Sequence, residues 1–296
     1  MKKFLAQAYI WTLLLLLYAP IIIIMVFSFT ESKVLGNWTG FSTKLYSNLF
    51  TVKESGTTFA VDTGELVVRS APQGVSSSLF SAIENTLLIA LVASIISTAL
   101  GSVAAIGIFN LKGKKKQAMY FLNNIPMLNP DIITGISLFI LFVAVGLTQG
   151  YATIILAHIT FCTPYVVLCV MPKLIQMNPN TYEAALDLGA TPLQAMWKVI
   201  VPHIRGGMVS GFLLSFTLSI DDFAVTLFTK GNEGLDTLST YIYADARKGG
   251  LTPELRALST IIFVIVLVSL TLINVYSIYS KRKNIKKQYW RYDKAS

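Results

Sequence analysis

Long apolar runs alternate with polar stretches along this chain. The runs are about Ala8–Phe29, Ser81–Phe109, Ile132–Leu147, Tyr151–Leu174, Met208–Phe228 and Leu258–Tyr279. A membrane-crossing helix needs about 20 mostly apolar residues. The pattern therefore predicts an all-α, polytopic membrane protein with six transmembrane helices, forming a single domain over residues 1–296. The first run exceeds the apolar core of a signal peptide and lacks a small-residue cleavage site, so it reads as an uncleaved span, kinked at Pro20.

Between the first two runs lies a polar stretch, residues 30–78. Within it, Thr58–Val61 and Glu65–Arg69 are β-prone and flank Asp62-Thr63-Gly64. They read as a small hairpin or as a disordered loop. Residues 229–256 form a second polar loop, which carries Tyr241 and Tyr243.

The most structured polar stretch is Asn180–Pro202, NTYEAALDLGATPLQAMWKVIVP. Asn180 is placed to cap a helix, with Glu183 in the capping-box position. Gly189 suits a left-handed stop. Thr191 then caps a second short helix, with Pro192 at its first position and Gln194 at its third. Pro202 is expected to end that helix. The second helix carries Met196, Trp197 and Val199, an apolar face that needs a groove on a partner. The alternative is an ordinary amphipathic hairpin.

Composition agrees with a membrane chain: 54% of residues are hydrophobic and 13% charged, with mean hydropathy +0.62, against about 25% charged in soluble domains. Cys162 and Cys169 share one apolar run, about 10 Å apart on a helix, too far for a disulfide. They read as small buried hydrophobes. Two histidines offer little for a metal site, and none is assigned. His158 reads as a buried hydrogen-bonding residue.

The net charge of +9 is unevenly spread. The N-terminus, residues 110–117, the segment 175–203 and the tail 281–296 are strongly basic, with Glu183, Asp187 and Asp293 as their only acids. The remaining loops are balanced. Basic segments stay on the cytoplasmic side, so both termini and Asn180–Pro202 are expected there, and 30–78 outside. Topology and anionic membrane lipid account for the charge; nucleic acid is not implied.

The charges left in or near the apolar runs are all acidic: Glu84, Asp131, Asp221 and Asp222. Such acids tend to line interior pathways, and a wall of unpaired negative charge suits a cationic solute. Neighbouring helical residues point about 100° apart, so one of Asp221 and Asp222 contacts solute while the other caps or pairs. A local helix break, with the acids satisfied by backbone N–H groups, is the alternative. Asp131 follows Asn129-Pro130 near the expected cytoplasmic end of its span, and serves capping or solute contact. Glu84 lies at headgroup level.

Glu183-Ala184-Ala185, three residues, Gly189, nine residues and Val199-Ile200-Val201-Pro202 together resemble the EAA loop of ABC-importer permeases. The family pattern ends I-x-L-P, from which Val199 and Val201 depart. The segments 129–142, 158–170, 183–190, 214–225 and 237–260 are similar to the PotC-type permeases of spermidine/putrescine importers. The resemblance implies a type I importer fold in the bacterial cytoplasmic (inner) membrane, working by alternating access. Glu183, Ala184, Ala185, Gly189, Trp197 and Pro202 would form the ATPase-coupling element. Asp221, Asp222, Asp131, Phe223 and Tyr241 would line the solute path, the aromatics by cation–π attraction. The implied partners are a second permease, two ATPase subunits that bind ATP and Mg, and a periplasmic substrate-binding protein.

The chain carries no phosphate-binding G-x-x-x-x-G-K-[ST] loop, so no cofactor and no catalytic residue is assigned to it. An intramembrane protease is disfavoured, since neither G-x-S-x-G nor H-E-x-x-H occurs. A permease for another cationic or small solute, or a scaffold subunit that does not touch solute, remains a rival reading. The segment 51–78 is longer than the resemblance leads one to expect.

Overall fold

A computed structural model describes residues 2–32, 36–50, 58–62, 65–69, 75–178, 180–231, 235–247, 252–268 and 271–272. The basic tail 281–296 lies outside them. The chain divides into two compact units, Met1–Ser77 with Asp245–Ser296, and Ser78–Ala244.

In the first unit, α1 (Lys2–Phe27) passes through Pro20 without ending. Its large apolar side chains, among them Trp11 and Leu16, are uncovered, as a lipid-facing helix requires. α2 (Lys44–Phe50) follows. Phe29 stacks on Phe41 at 5.4 Å and packs on Tyr46 at 5.3 Å. β1 (Thr58–Asp62) and β2 (Glu65–Arg69) pair antiparallel from Thr58↔Arg69 to Asp62↔Glu65, the hairpin form of the two readings. Residues 253–268 are helical.

The second unit is built on α3 (Val75–Asn110), α4 (Gly113–Leu128), α5 (Asp131–Val145) and α6 (Tyr151–Ile175). α7 (Asn180–Asp187) and α8 (Pro192–Ala195) follow, then a π turn over Met196–Ile200 that leads into α9 (Val201–Asp221). The last elements are α10 (Ala224–Thr229) and α11 (Leu238–Arg247).

The core seam is α6 against α9, and small residues make it. Gly207, Gly211, Ser215 and Ser219 are buried at four-residue spacing on α9. A Cβ on Gly207 would stand 2.9 Å from the Cys169 carbonyl and 3.0 Å from Val170 Cα. A Cβ on Gly101 of α3 would stand 2.6 Å from Val166 Cβ. Helices in lipid lack a strong hydrophobic drive to associate, so close backbone approach over small residues supplies the contact.

Three expectations change. Among the described residues, four helices are long and apolar enough to cross a membrane, or five if α4 and α5, bent by 104°, form one broken span. Six were expected, and the sixth run, 258–279, extends past the described residues. Second, Pro202 does not end a helix. Val201 N–H bonds the Met196 carbonyl in the wider π register, and the helix runs on from Pro192 to Asp221. A π turn just ahead of a proline absorbs its missing N–H and its ring. Third, Asn180 is the first residue of α7 rather than its cap, and its N–H donates to Asn178 Oδ1 at 3.0 Å.

Candidate functional site

The span carrying the two adjacent aspartates is broken between them and Ala224. α9 ends at Asp221, Asp222 is extended (φ −64°, ψ 132°), and α10 starts at Ala224. Asp222 takes the place of a helix cap. Its carboxylate accepts the N–H of Val225 at 3.2 Å and of Thr226 at 2.8 Å, and the Thr226 hydroxyl at 2.7 Å. These are donors that the start of α10 would otherwise leave bare.

His158 of α6 lies against the same carboxylate, Nε2 to Oδ2 at 3.5 Å, with both side chains buried. The imidazole also bonds Ser219 Oγ through Nδ1 at 2.6 Å and Thr226 Oγ1 through Nε2 at 3.0 Å. Ser239 Oγ donates to the Asp222 carbonyl at 2.6 Å, which ties the start of α11 to the break. One network thus joins α6, α9, α10 and α11.

Asp221 is the opposite case. It is exposed, and among the described residues its carboxylate has no hydrogen-bond or ion-pair partner. The local geometry separates the pair: Asp222 turns inward to hold the break, and Asp221 presents its charge.

Asp131 is also exposed, in the first turn of α5. α4 precedes it in the chain, with Lys114, Lys115 and Lys116 in that helix's own first turn. The Asn123 amide of α4 donates to the carbonyl of Pro164, midway along α6, at 3.3 Å. α5 then packs on α10: a Cβ on Gly135 would meet Val225 Cα at 3.1 Å and the Ala224 carbonyl at 3.2 Å. Asp131 is one turn from Gly135, about 6 Å along the helix, so the fold carries it toward the break.

Of the aromatic candidates, Phe223 packs on Tyr243, with ring centroids 4.7 Å apart. Tyr241 is turned elsewhere, its hydroxyl 3.2 Å from Ser78 Oγ. Tyr241 and Tyr243 both lie on α11, two positions apart, so helical phase sends their rings to different neighbours.

The stretch Asn180–Pro202 folds as a second local assembly. Gly189 takes φ +85°, and the Ala190 N–H closes on the Ala185 carbonyl at 3.1 Å, a Schellman stop. Thr191 and Gln194 form the reciprocal capping box, at 3.3 Å and 3.1 Å. Glu183, Ala184 and Pro202 are exposed, Ala185 is half-buried, and Leu188, Leu193 and Trp197 are 88%, 63% and 62% exposed. A capped, rigid knob with uncovered large apolar side chains is suited to seating in a partner's groove.

Residues 97–284 match a family described as the binding-protein-dependent transport system inner membrane component. The chain is 33% identical over 283 residues to the spermidine/putrescine transport system permease protein PotC of Haemophilus influenzae, covering 96% of this chain and 99% of that one. It is 35% identical over 253 residues to the putrescine transport system permease protein PotI of Escherichia coli K12, covering 83% and 81%. A solved bacterial alginate ABC transporter, in complex with its alginate pentasaccharide-bound periplasmic protein, aligns with TM-score 0.62 at 17% identity over 92% of this chain and 91% of that one. At that identity the likeness is one of fold.

Proposed function

The chain belongs to the family of binding-protein-dependent transport system inner membrane components, and from that premise we propose that it passes polyamines, spermidine or putrescine, into the cell. It is a multi-pass inner-membrane permease subunit of an ABC importer, of the all-α permease fold, working by alternating access. Such a subunit works with ATPase subunits and a binding protein, and ATP hydrolysis is the work of the ATPases.

The observation that carries the polyamine reading is Asp221, an uncompensated exposed carboxylate where α9 breaks. No lysine, arginine or histidine occurs from Gly206 to Thr229. A polyamine offers ammonium groups on an alkyl chain, which suits a carboxylate with aromatic neighbours. Asp221 would meet an ammonium group, Phe223 with Tyr243 would supply the aromatic face, and Asp131 would offer a second carboxylate. Asp222 would hold the break, and Tyr241 would hold α11. The PotC and PotI relatives support the same solute class.

We further read the chain as one permease domain with six spans and both termini in the cytoplasm, seated beside a second permease. In this reading Asn180–Pro202 enters the ATPase, with Trp197 and Leu193 as its apolar anchors and Glu183, Ala184, Ala185 and Gly189 shaping the turn. ATP-driven closure then reaches α9 directly, because the element continues into α9 through the π turn.

The test is uptake of labelled spermidine and putrescine in cells lacking other polyamine uptake, with the neighbouring transporter subunits co-expressed. Asp221→Asn is expected to abolish uptake while the complex still assembles. Full uptake by that variant would remove Asp221 from the solute path. An assembled wild-type complex that admits no polyamine would move the assignment to another cationic solute.

A further inference from the structure

A cavity of about 850 Å³ opens between the end of α3, the start of α4, the end of α6 and the coupling element. That volume lies in the range of ligand pockets, about 300–1,000 Å³. Phe109, Leu174 and Met196 contribute apolar lining, Lys112 and Lys116 border it on one side, and Glu183 stands on the coupling-element side.

The charge is one-sided. Residues 110–117 hold four lysines and no acid. Lys112 is exposed and makes no side-chain cap to α4. Lys116 Nζ is held in place, donating to the Phe109 carbonyl at 3.1 Å and standing 4.5 Å from the Phe109 ring centroid. An ammonium group has three N–H donors, so two remain for a ligand. Glu183, on a different element from the lysines, disfavours an anion beside itself, so the lysines are the favourable seat.

A soluble anion would answer the lysines and leave the apolar walls wet. A neutral chain would fill the walls and leave the lysines bare. An acidic phospholipid answers both, with its phosphate on the lysines and acyl chain in the cavity. Basic pockets between spans on the cytoplasmic side are where such headgroups bind, and the lysine run falls on that side by the charge rule. We propose that this cavity binds an acidic phospholipid of the cytoplasmic leaflet. Because Glu183 and Met196 line the cavity as parts of the coupling element, the bound lipid tunes how that element transmits ATPase closure. The proposal rests on the permease reading given above.

The complete importer would be placed in nanodiscs of phosphatidylcholine with or without phosphatidylglycerol. Retained phosphatidylglycerol is counted by native mass spectrometry, and a photoreactive phosphatidylglycerol maps the contact. Wild type is expected to retain phosphatidylglycerol, to crosslink at the end of α3 and the start of α4, and to show higher solute-stimulated ATPase activity when it is present. Lys112→Gln with Lys116→Gln should lower retention roughly 30-fold, from the contribution of two lysines at a membrane surface, and remove the activity gain. Ile106→Trp, which fills the cavity from α3, should do the same while keeping both lysines. Equal retention in wild type and both variants, competition by phosphatidylcholine on equal terms, or crosslinks confined to another protein chain would each overturn the lipid site. ATPase attachment is scored separately. Failure with the ATPase attached sinks the lipid site alone, whereas a wild-type chain that never holds the ATPase sinks the permease reading.

Discussion

His158 Nε2 lies 3.5 Å from Asp222 Oδ2, both side chains are buried, and the two residues belong to different helices. The relationship fixes where the span breaks. Asp222 saturates its oxygens on Val225 and Thr226, and His158 shares Thr226 while reaching back to Ser219 on the other side of the break. The break is thus held by polar contacts rather than by a proline.

Asp222→Ala should therefore act on stability, and Asp221→Ala on transport. Removing the Asp222 carboxylate strips three donors of their acceptor, and leaving buried donors unsatisfied costs at least about 1–3 kcal/mol. Asp221 is exposed and unpartnered among the described residues, so its removal should change stability by less than about 0.5 kcal/mol. Thermal unfolding of the purified complex, read beside uptake, separates the two. Equal destabilisation by both variants would contradict the division of labour.

The network should also be cooperative. His158→Phe and Ser219→Ala remove the two ends of one 2.6 Å bond. A double-mutant cycle is expected to give a coupling of about 0.5–3 kcal/mol, the range for residues in direct contact. A purely additive result would mean that the imidazole is packed there and not bonded.

Two glycines make opposite predictions. Gly207→Ala would drive a methyl into the backbone of Cys169 and Val170 at 2.9–3.0 Å, where neither helix can yield without separating. A loss of about 1–3 kcal/mol is expected from this overpacking. A Cβ on Gly107 meets nothing within 4 Å, so Gly107→Ala should be neutral or stabilise by about 0.5–1 kcal/mol through the unfolded chain. Detergent melting of the pair checks the sign.

The elements that were legible in the sequence are those whose causes are local. The Thr191 capping box, the Gly189 stop and the apolar runs of α3 and α6 each depend on residues a few positions apart. α4 was not legible, because its lysine-rich start reads as a loop, and its helical body carries Pro126 and no buried side chain. The divergence of Asp221 and Asp222 follows from helical phase. Which one turns inward follows only in part, since Val225 and Thr226 are local to Asp222 while the buried His158 that completes its surroundings is distant along the chain. Pro202 misled for a similar reason: the π turn that accommodates it has no signature in residue type.

Outside the spans, Glu31 offers a pH readout. The Ser42 hydroxyl donates to its carboxylate at 2.6 Å, and Lys44 stands 3.4 Å away. The hydrogen bond from Ser42, ahead of the Lys44 charge, holds the Glu31 carboxyl below the ordinary value of 4.5. A depressed carboxylate favours the folded arrangement at pH above its unfolded value, and that contribution fades as pH falls through the folded value. The Glu31 titration midpoint by NMR should therefore lie below 4.5 and move up in Ser42→Ala.

The knob Asn180–Pro202 yields the remaining prediction. Leu193 and Trp197 stand 63% and 62% exposed on a turn that is itself fully capped. Nothing within the turn needs their side chains, so truncating them should leave the fold intact. An exposed tryptophan seated in a partner's groove is a typical binding anchor, worth about 2 kcal/mol or more on truncation. Trp197→Ala should thus weaken ATPase attachment by roughly 30-fold or more, with Leu193→Ala adding to it, while the melting temperature of the permease stays within error. Co-purification of the ATPase with each variant, against wild type, gives the answer. A Trp197→Ala chain that retains the ATPase in full would mean that the knob faces lipid or a second permease, and the surface that receives the ATPase would have to be sought elsewhere on the cytoplasmic side.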